Sequence, residues 1–305
     1  MVDLFVCPES RRPLARMGDA YVTEDGSHRY PVVEGIPVLV RNPEGHLESI
    51  RRLTTSRRGG WFTEEQLDRY ERGPYRHHLA RRRRVVETAV RRFVREAGGE
   101  GKGDLPLRVL DLGCGDGGSS RWLAEALPRH AKLLLTDYNI ERLIRAREVL
   151  GSREASTFFL SDIVECPLAD ESCDLVFSNH VIEHVPDDER VFEAARRTLR
   201  PGGAFLLGCP NEGVFWWMLA YALSPRSIRH SDHIHFYNSD VLVEMGRRAG
   251  LLHQRTEVLG YGVPHWGWDE RLRQYKRIDD LFHWVGSRLV KNQGSSLYLT
   301  FAKAR

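Results

Sequence analysis

Two groups of residues in this chain are spaced to do chemistry. The first is Asp111, Gly113, Gly115 and Gly117 in the run VLDLGCGDGG, residues 109–118. An acid that closes an apolar strand, followed by alternating glycines, suits a flat, nucleotide-bearing ligand. Glycine lets the backbone turn sharply and leaves no side chain between main chain and ligand. A helix expected over Ser119–Leu127 points its N-terminus at the same spot and favours a carboxylate or phosphate there. Gly113, Gly115 and Gly118 also satisfy the G-x-G-x-x-G spacing, so the turn by itself leaves a dinucleotide open. The second group is rich in histidine. His180, Glu183 and His184 stand three and four apart, as residues on one face of a helical turn would, and His230, His233 and His235 follow in RHSDHIHFYN. Imidazoles titrate near neutrality and suit the removal of a proton from a hydroxyl.

Alternating strands and helices must position these groups. KLLLTD ends at Asp137, where a carboxylate can accept both hydroxyls of a ribose. STFFLSD ends at Asp162, with Ile163 beside it able to pack on a base. CDLVFSNH runs to His180 and leads into a helix through Leu199. The turn Arg200-Pro201-Gly202-Gly203 then opens the strand AFLLGCP. Ligands of doubly wound sheets bind beyond the carboxyl ends of the strands, which is where both groups fall. Upstream, Val85, Val86, Ala89, Val90, Phe93 and Val94 give an apolar stripe to a helix expected over Tyr75–Ala97, and Arg81 to Arg84 are expected mostly on its solvated face.

In the order and spacing of acid-x-Gly-x-Gly-x-Gly, an acid after the second strand, Asp-Ile after the third and Leu-Arg-Pro-Gly-Gly before the fifth, residues 105–303 resemble the class I S-adenosylmethionine-dependent methyltransferases. The resemblance implies an α/β, Rossmann-like doubly wound seven-stranded sheet and S-adenosylmethionine as cofactor. It implies that Asp111, Gly113 and Gly115 meet the methionine part, Asp137 the ribose, Asp162 and Ile163 the adenine, and that Asn179 lies near the sulfonium. Metal-dependent members of this class carry Glu-Val-x-Glu-His where this chain has His180-Val-Ile-Glu183-His184, with a later His. The leading glutamate is histidine here, a change that shifts preference from magnesium toward imidazole-tolerant ions. Glu-His-Val after the fourth strand is also frequent in metal-free members, and the expectation is no metal. His180 or His184 is expected to act as base, with His233 and His235 as alternates.

The first 42 residues alternate short strands with Gly and Pro turns and form a small β-rich module. FVCPESRRPL and the ending YPVVEGIPVL resemble the Trm112-like zinc-ribbon modules. Cys7 survives, but Ser10 stands at the next knuckle position and no cysteine appears between Thr23 and His28, so too few ligands remain for the four that a structural zinc needs. Residues 43–104 read as a linker, with a short helix over Thr63–Arg72, and the N-terminal helix. Residues 105–305 form the main domain, with acceptor-binding insertions expected at about 211–237 and 261–293. In those insertions Trp216, Phe236, Tyr237 and Trp266 are expected to wall a pocket.

The formal net charge of +3 selects no polyanionic partner, although Arg51, Arg52, Arg57 and Arg58 add to the later arginines. Five cysteines without paired spacing suit reduced thiols. No apolar run reaches the ~18 residues of a membrane span, and no basic region followed by an apolar stretch marks a signal peptide, so a cytoplasmic protein is expected. The reading is a methyltransferase acting on a small, partly apolar or aromatic acceptor of the kind found in specialised metabolism. The alternatives are an RNA methyltransferase, with the arginines as a clamp, and a non-catalytic binding protein on the same fold.

Overall fold

The computed structural model describes residues 4–55, 73–97, 106–151, 156–225, 233–290 and 292–305. The expected helix over residues 63–72, Arg57, Arg58 and His230 lie outside the described residues. Strands β1 (Leu14–Met17), β2 (Ala20–Thr23), β3 (Arg29–Val33) and β4 (Ile36–Pro37) form a four-stranded antiparallel sheet in sequential order. The main sheet has seven strands: β5 (Arg108–Leu112), β6 (Lys132–Asp137), β7 (Ser156–Leu160), β8 (Cys173–Asn179), β9 (Leu199–Pro210), β10 (Leu251–Leu259) and β11 (Ser296–Lys303), in the order β10-β11-β9-β8-β5-β6-β7. The β7-to-β9 side is parallel, whereas β11 runs antiparallel between β9 and β10.

The run Val109–Leu112 is wholly buried, as is all of β8 except Asn179, because helices cover both faces of the parallel strands. From β5 the chain proceeds to β6 and β7 on one side, then crosses to β8 and β9 on the other. The carboxyl ends of β5 and β8 therefore flank the topological switch point, where two adjacent loops part and leave a crevice.

The N-terminal sheet is fused to the main one. Val38 makes a parallel bridge to Leu160 on the edge strand β7, and Leu39 N–H donates to Leu160 O at 2.8 Å. The module thereby covers an edge that would otherwise present unpaired backbone groups. Phe5 packs edge-on against Phe159, with centroids 5.2 Å apart, and Phe5, Cys7, Leu14, Tyr30 and Leu39 share one buried cluster with β5, β8 and β9. The Cys7 thiol is fully buried. It lies 3.1 Å from the Tyr30 hydroxyl and accepts a hydrogen bond from Ser10 N–H at 3.3 Å.

Two boundaries differ from the sequence reading. Helix α1 (Pro43–Thr55) occupies much of the expected linker: Asn42 Oδ1 accepts from Gly45 N–H at 3.0 Å, and Leu47 and Ile50, three apart, face the core. Helix α2 covers Arg76–Glu96, close to the expected span. Past β8 no continuous helix follows. A 3₁₀ turn over Ile182–His184 precedes helix Asp188–Thr198, and His180 lies outside both, at φ 57°.

Because the N-terminal module and the main sheet share a core, they should unfold together. Leu39→Ala should cost about 2–5 kcal/mol. It should lower one common thermal transition seen by both tryptophan fluorescence and far-ultraviolet dichroism; a separate early transition confined to the first 42 residues would contradict this.

Candidate active site

The glycine turn after β5 is held from β6. Asp137 Oδ2 accepts from Gly115 N–H at 2.8 Å, and its Oδ1 accepts from Asn139 N–H at 2.9 Å. Asn139 in turn caps the helix Ile140–Leu150, accepting from Glu141 and Arg142 N–H. Gly113 has φ +89°, and a Cβ there would lie 2.6 Å from Val181 Cγ2. Only glycine serves at that position, on both conformational and steric grounds.

The turn forms one end of a cavity of about 730 Å³ at the switch point. Gly113, Gly115, Asp137, Asp162, Ile163 and Asn179 line that end, together with Ser119, Tyr138 and Arg142. The other end is lined by His180, Glu183, His184 and His233, with Leu79, Arg82, Val185 and Pro186. Asn179 donates through Nδ2 to Ser119 Oγ at 2.7 Å, while its Oδ1 is buried and accepts no hydrogen bond. Asp162 caps its own 3₁₀ turn by accepting from Val164 N–H, and burial raises its pKa.

Asp111 departs from the expectation. Its carboxylate is 1% exposed, accepts from Ser120 Oγ at 2.6 Å and is absent from the cavity wall. Burial, partly offset by Ser120 and reinforced by the nearby Asp137 charge, pushes its pKa up to about 7. It supports the turn from beneath.

The histidine end is assembled by backbone pairing between two loops. Ile234 N–H donates to Glu183 O at 2.9 Å, which docks residues 233–235 beside the 3₁₀ turn and brings the His184 and His233 rings to 5.0 Å. His233 Nδ1 donates to Glu212 Oε2 at 2.7 Å, and Tyr221 OH donates to the other oxygen of Glu212. His180 Nδ1 lies 3.3 Å from Glu183 Oε1. Burial, reinforced by the Arg82 charge, pushes the His180 pKa well down, and burial pushes that of Glu183 up.

Several expected site residues stand elsewhere. His235 points away from the cavity: Nε2 lies 3.0 Å from Val185 O, Nδ1 3.7 Å from Asp188, and the ring stacks on Tyr237. Tyr237 is buried and donates to Asp188 at 2.6 Å. Trp216 stacks on Tyr261 and donates Nε1–H to Gly262 O at 2.7 Å, and Phe236 packs edge-on to Tyr221. None of these four lines the cavity: Trp216, on the helix Phe215–Leu223, packs on Tyr261, Phe236 on Tyr221 of the same helix, and His235 and Tyr237 on each other. The side chain of Trp266 lies outside the described residues. Conversely, Arg82 and Glu212 went unrecognised. Arg82 sits four residues before Val86, on the inward stripe of α2, and donates to Tyr298 OH at 2.9 Å.

Residues 110–207 match the model of the methyltransferase domain. Over that stretch the chain is similar to the methyltransferase domain. Sequence relatives include the sterol 24-C-methyltransferase of Aspergillus fumigatus, 29% identical over 173 residues, covering 56% of this chain and 41% of that protein. The trans-aconitate 2-methyltransferase of Variovorax paradoxus is 38% identical over 104 residues, covering 34% and 39% respectively. The chain thus spans less than half the length of these relatives. A solved Bacillus halodurans structure, itself assigned as a methyltransferase, superposes with a TM-score of 0.50 at 16% identity, covering 72% of this chain and 100% of that one; this likeness is one of fold. The seven-stranded order β10-β11-β9-β8-β5-β6-β7 makes a Rossmann-like doubly wound sheet, the fold shared with that structure.

The Asp111 environment gives a prediction with a definite sign. An aspartate whose folded pKa of about 7 exceeds the ~3.9 of an unfolded chain favours the fold below about pH 4, and that contribution is lost as pH rises through 7. Asp111→Asn, which cannot ionise, should therefore lose less thermal stability than wild type between about pH 5 and pH 8. Parallel pH dependences of the two melting temperatures would contradict the assignment.

Proposed function

We propose that the chain transfers the methyl group of S-adenosylmethionine to a small, partly apolar acceptor that presents a hydroxyl or similar polar group. The observation that carries this reading is the single cavity that joins the glycine turn and Asp137 to the His180, Glu183, His184 and His233 cluster. Its volume of about 730 Å³ lies within the range of small-molecule sites.

The residues present fit the cofactor. The Gly113 turn leaves space that a Cβ would fill, and the orphaned Asn179 Oδ1 can accept from an ammonium group. Each oxygen of Asp137 accepts one backbone N–H and keeps lone-pair capacity for a ribose hydroxyl. Asp162 and Ile163, both on the cavity wall, would flank the adenine. S-adenosylmethionine supplies a methyl group on a sulfonium, already a good electrophile. The protein's part is then chiefly alignment and proton removal. His180 serves as the base: its Nε2 is buried without a hydrogen-bond partner and its Nδ1 faces Glu183. Leu79, Val185 and Pro186 offer the acceptor's apolar part a surface.

An RNA substrate is less well supported. Among the described arginines of the expected clamp, Arg52 pairs with Glu48, Arg81 with Asp279 and Asp280, and Arg83 with Glu87 and Glu125, so acids of the same chain neutralise part of it. Residues 1–42 are read as a Trm112-like module without zinc that serves as a built-in scaffold.

Asp137→Ala should weaken S-adenosylhomocysteine binding by about 1.5–3 kcal/mol, the loss of charge-assisted hydrogen bonds. Unchanged calorimetric affinity in the folded variant would remove Asp137 from the site. His180→Ala should lower kcat by roughly 10² to 10⁴ while leaving S-adenosylhomocysteine affinity unchanged. A base must be neutral to act, and His180 is held well below the usual 6.5. Wild-type kcat should therefore stay level from about pH 8 down to 6.5 and fall only at lower pH. A fall centred above pH 6.5, or normal turnover in the variant, would exclude His180 as the base.

A further inference from the structure

Helix α2 brings two residues of one face, Leu79 and Arg82, to the wall of the cavity that also holds His180, Glu183 and His184. On either side of Arg82, Arg81 pairs with Asp279 and Asp280, and Arg83 with Glu87 and Glu125. Arg82 has no such partner. Its Nε donates to the hydroxyl of the buried Tyr298 at 2.9 Å, which holds the guanidinium in place. Among the described residues nothing accepts a hydrogen bond from its Nη1 or Nη2, and no acid forms an ion pair with it. The acids on the same wall are engaged elsewhere. Asp116 pairs with Arg142 and Arg145, Asp137 accepts from Gly115 and Asn139 N–H, and Asp162 caps its own turn. Glu183 faces His180 at 3.3 Å, and burial favours its neutral form. The guanidinium thus carries a full charge and two donor groups into a space that an acceptor must enter. Water satisfies them while the cavity is open. An acceptor that displaces this water has to supply an anion, because a desolvated charge without a counterion is costly.

We propose that the acceptor is a carboxylic acid with an apolar body, and that its carboxylate binds the Nη1–Nη2 edge of Arg82. The inference rests on the methyl-transfer reading of this cavity and narrows the class of its acceptor. The planar fork of a guanidinium matches the two oxygens of a carboxylate and gives two parallel, charge-assisted hydrogen bonds. Leu79, one turn before Arg82 on the same helix face, adds to the apolar surface of Val185 and Pro186. His180 Nε2 is buried without a partner and is the place for a hydroxyl proton. A hydroxy acid therefore answers the whole wall, with its charge at Arg82 and its reacting oxygen at His180. The carboxylate of the cofactor has another place. Helix Gly118–Ala126 opens onto the cavity at Gly118 and Ser119, where its N-terminal N–H groups and dipole favour an anion. The Arg82 charge, by contrast, is felt by His180 and Glu183. Arg82 is thus a specificity-determining residue that selects the charge of the acceptor and takes no part in proton transfer.

The test uses the full chain, saturated with S-adenosylhomocysteine and titrated by calorimetry with benzoate, with its uncharged isostere benzamide and with phenyl phosphate. Benzoate should bind at one site and about 10- to 100-fold more tightly than benzamide. Arg82→Gln should erase that preference by weakening benzoate alone. Its affinities for benzamide and S-adenosylhomocysteine should stay at the wild-type level, which also shows that the variant folds. Arg82→Lys, which keeps the charge without the fork, should retain part of the preference. Wild-type protein that binds benzoate no better than benzamide, or binds neither, would overturn the proposal whatever the variants do. An undiminished preference in Arg82→Gln would overturn it too, as would phenyl phosphate bound more than about tenfold tighter than benzoate, the mark of a phosphate site. A fall in S-adenosylhomocysteine affinity in folded Arg82→Gln would assign Arg82 to the carboxylate of the cofactor and overturn it equally. Failure of wild-type protein to bind S-adenosylhomocysteine would instead overturn the methyltransferase reading.

Discussion

The rest of the site depends on one carboxylate. Asp137, at the end of β6, accepts from Gly115 N–H with one oxygen and from Asn139 N–H with the other, so it ties the glycine turn of the preceding strand to the cap of the following helix. Each bond is charge-assisted and partly shielded from water, which makes it stronger than a neutral pair. Because the turn is fixed from outside its own sequence, its backbone can sit bare against a ligand. The geometry exists only when β5 and β6 pair in the parallel register that sets Asp111 opposite Leu135 and Leu112 opposite Thr136. Sheet register and site shape are therefore one constraint.

A second constraint operates across the cleft. His180 takes a left-handed backbone conformation at φ 57°, uncommon for a residue with a side chain, and its N–H is held by Gly208 O at 2.8 Å. That bend turns the chain out of β8 and into the 3₁₀ turn carrying Glu183 and His184. The distant loop at 233–235 is then clipped to the Glu183 carbonyl, so residues far apart in sequence face one ligand space. Backbone strain at one residue and two cross-loop hydrogen bonds thus replace the single helical face that the spacing suggested.

Much of this was legible in the sequence for stated reasons. Strand ends marked by acids, Asp137 and Asp162, and the glycine turn pointed to the fold and to the end of the cavity that they line, since each residue type answers a local backbone demand. The histidine end was harder to read. Three-and-four spacing predicted a shared helical face for His180, Glu183 and His184, whereas the left-handed turn at His180 produced their grouping by another route. The aromatics Trp216, Phe236 and Tyr237 were expected at the cleft, but each found a partner in packing, as large amphipathic rings do when a cap must be stabilised. Arg82 was hidden among four consecutive arginines, although its place on the Val86 stripe was a usable signal. Glu212 carried none, because its role arises only once the 233–235 loop folds back.

The central claim is that cofactor and acceptor share one cleft, with Asp137 at one end and the histidine cluster at the other. A crystal structure of the full chain with S-adenosylhomocysteine tests it most directly. The account predicts ribose hydroxyls within hydrogen-bonding distance of Asp137, adenine beside Ile163, and the sulfur facing a remaining space bounded by His180, Glu183, His184 and His233. A ligand seated elsewhere, or one whose sulfur faces away from those residues, would contradict it.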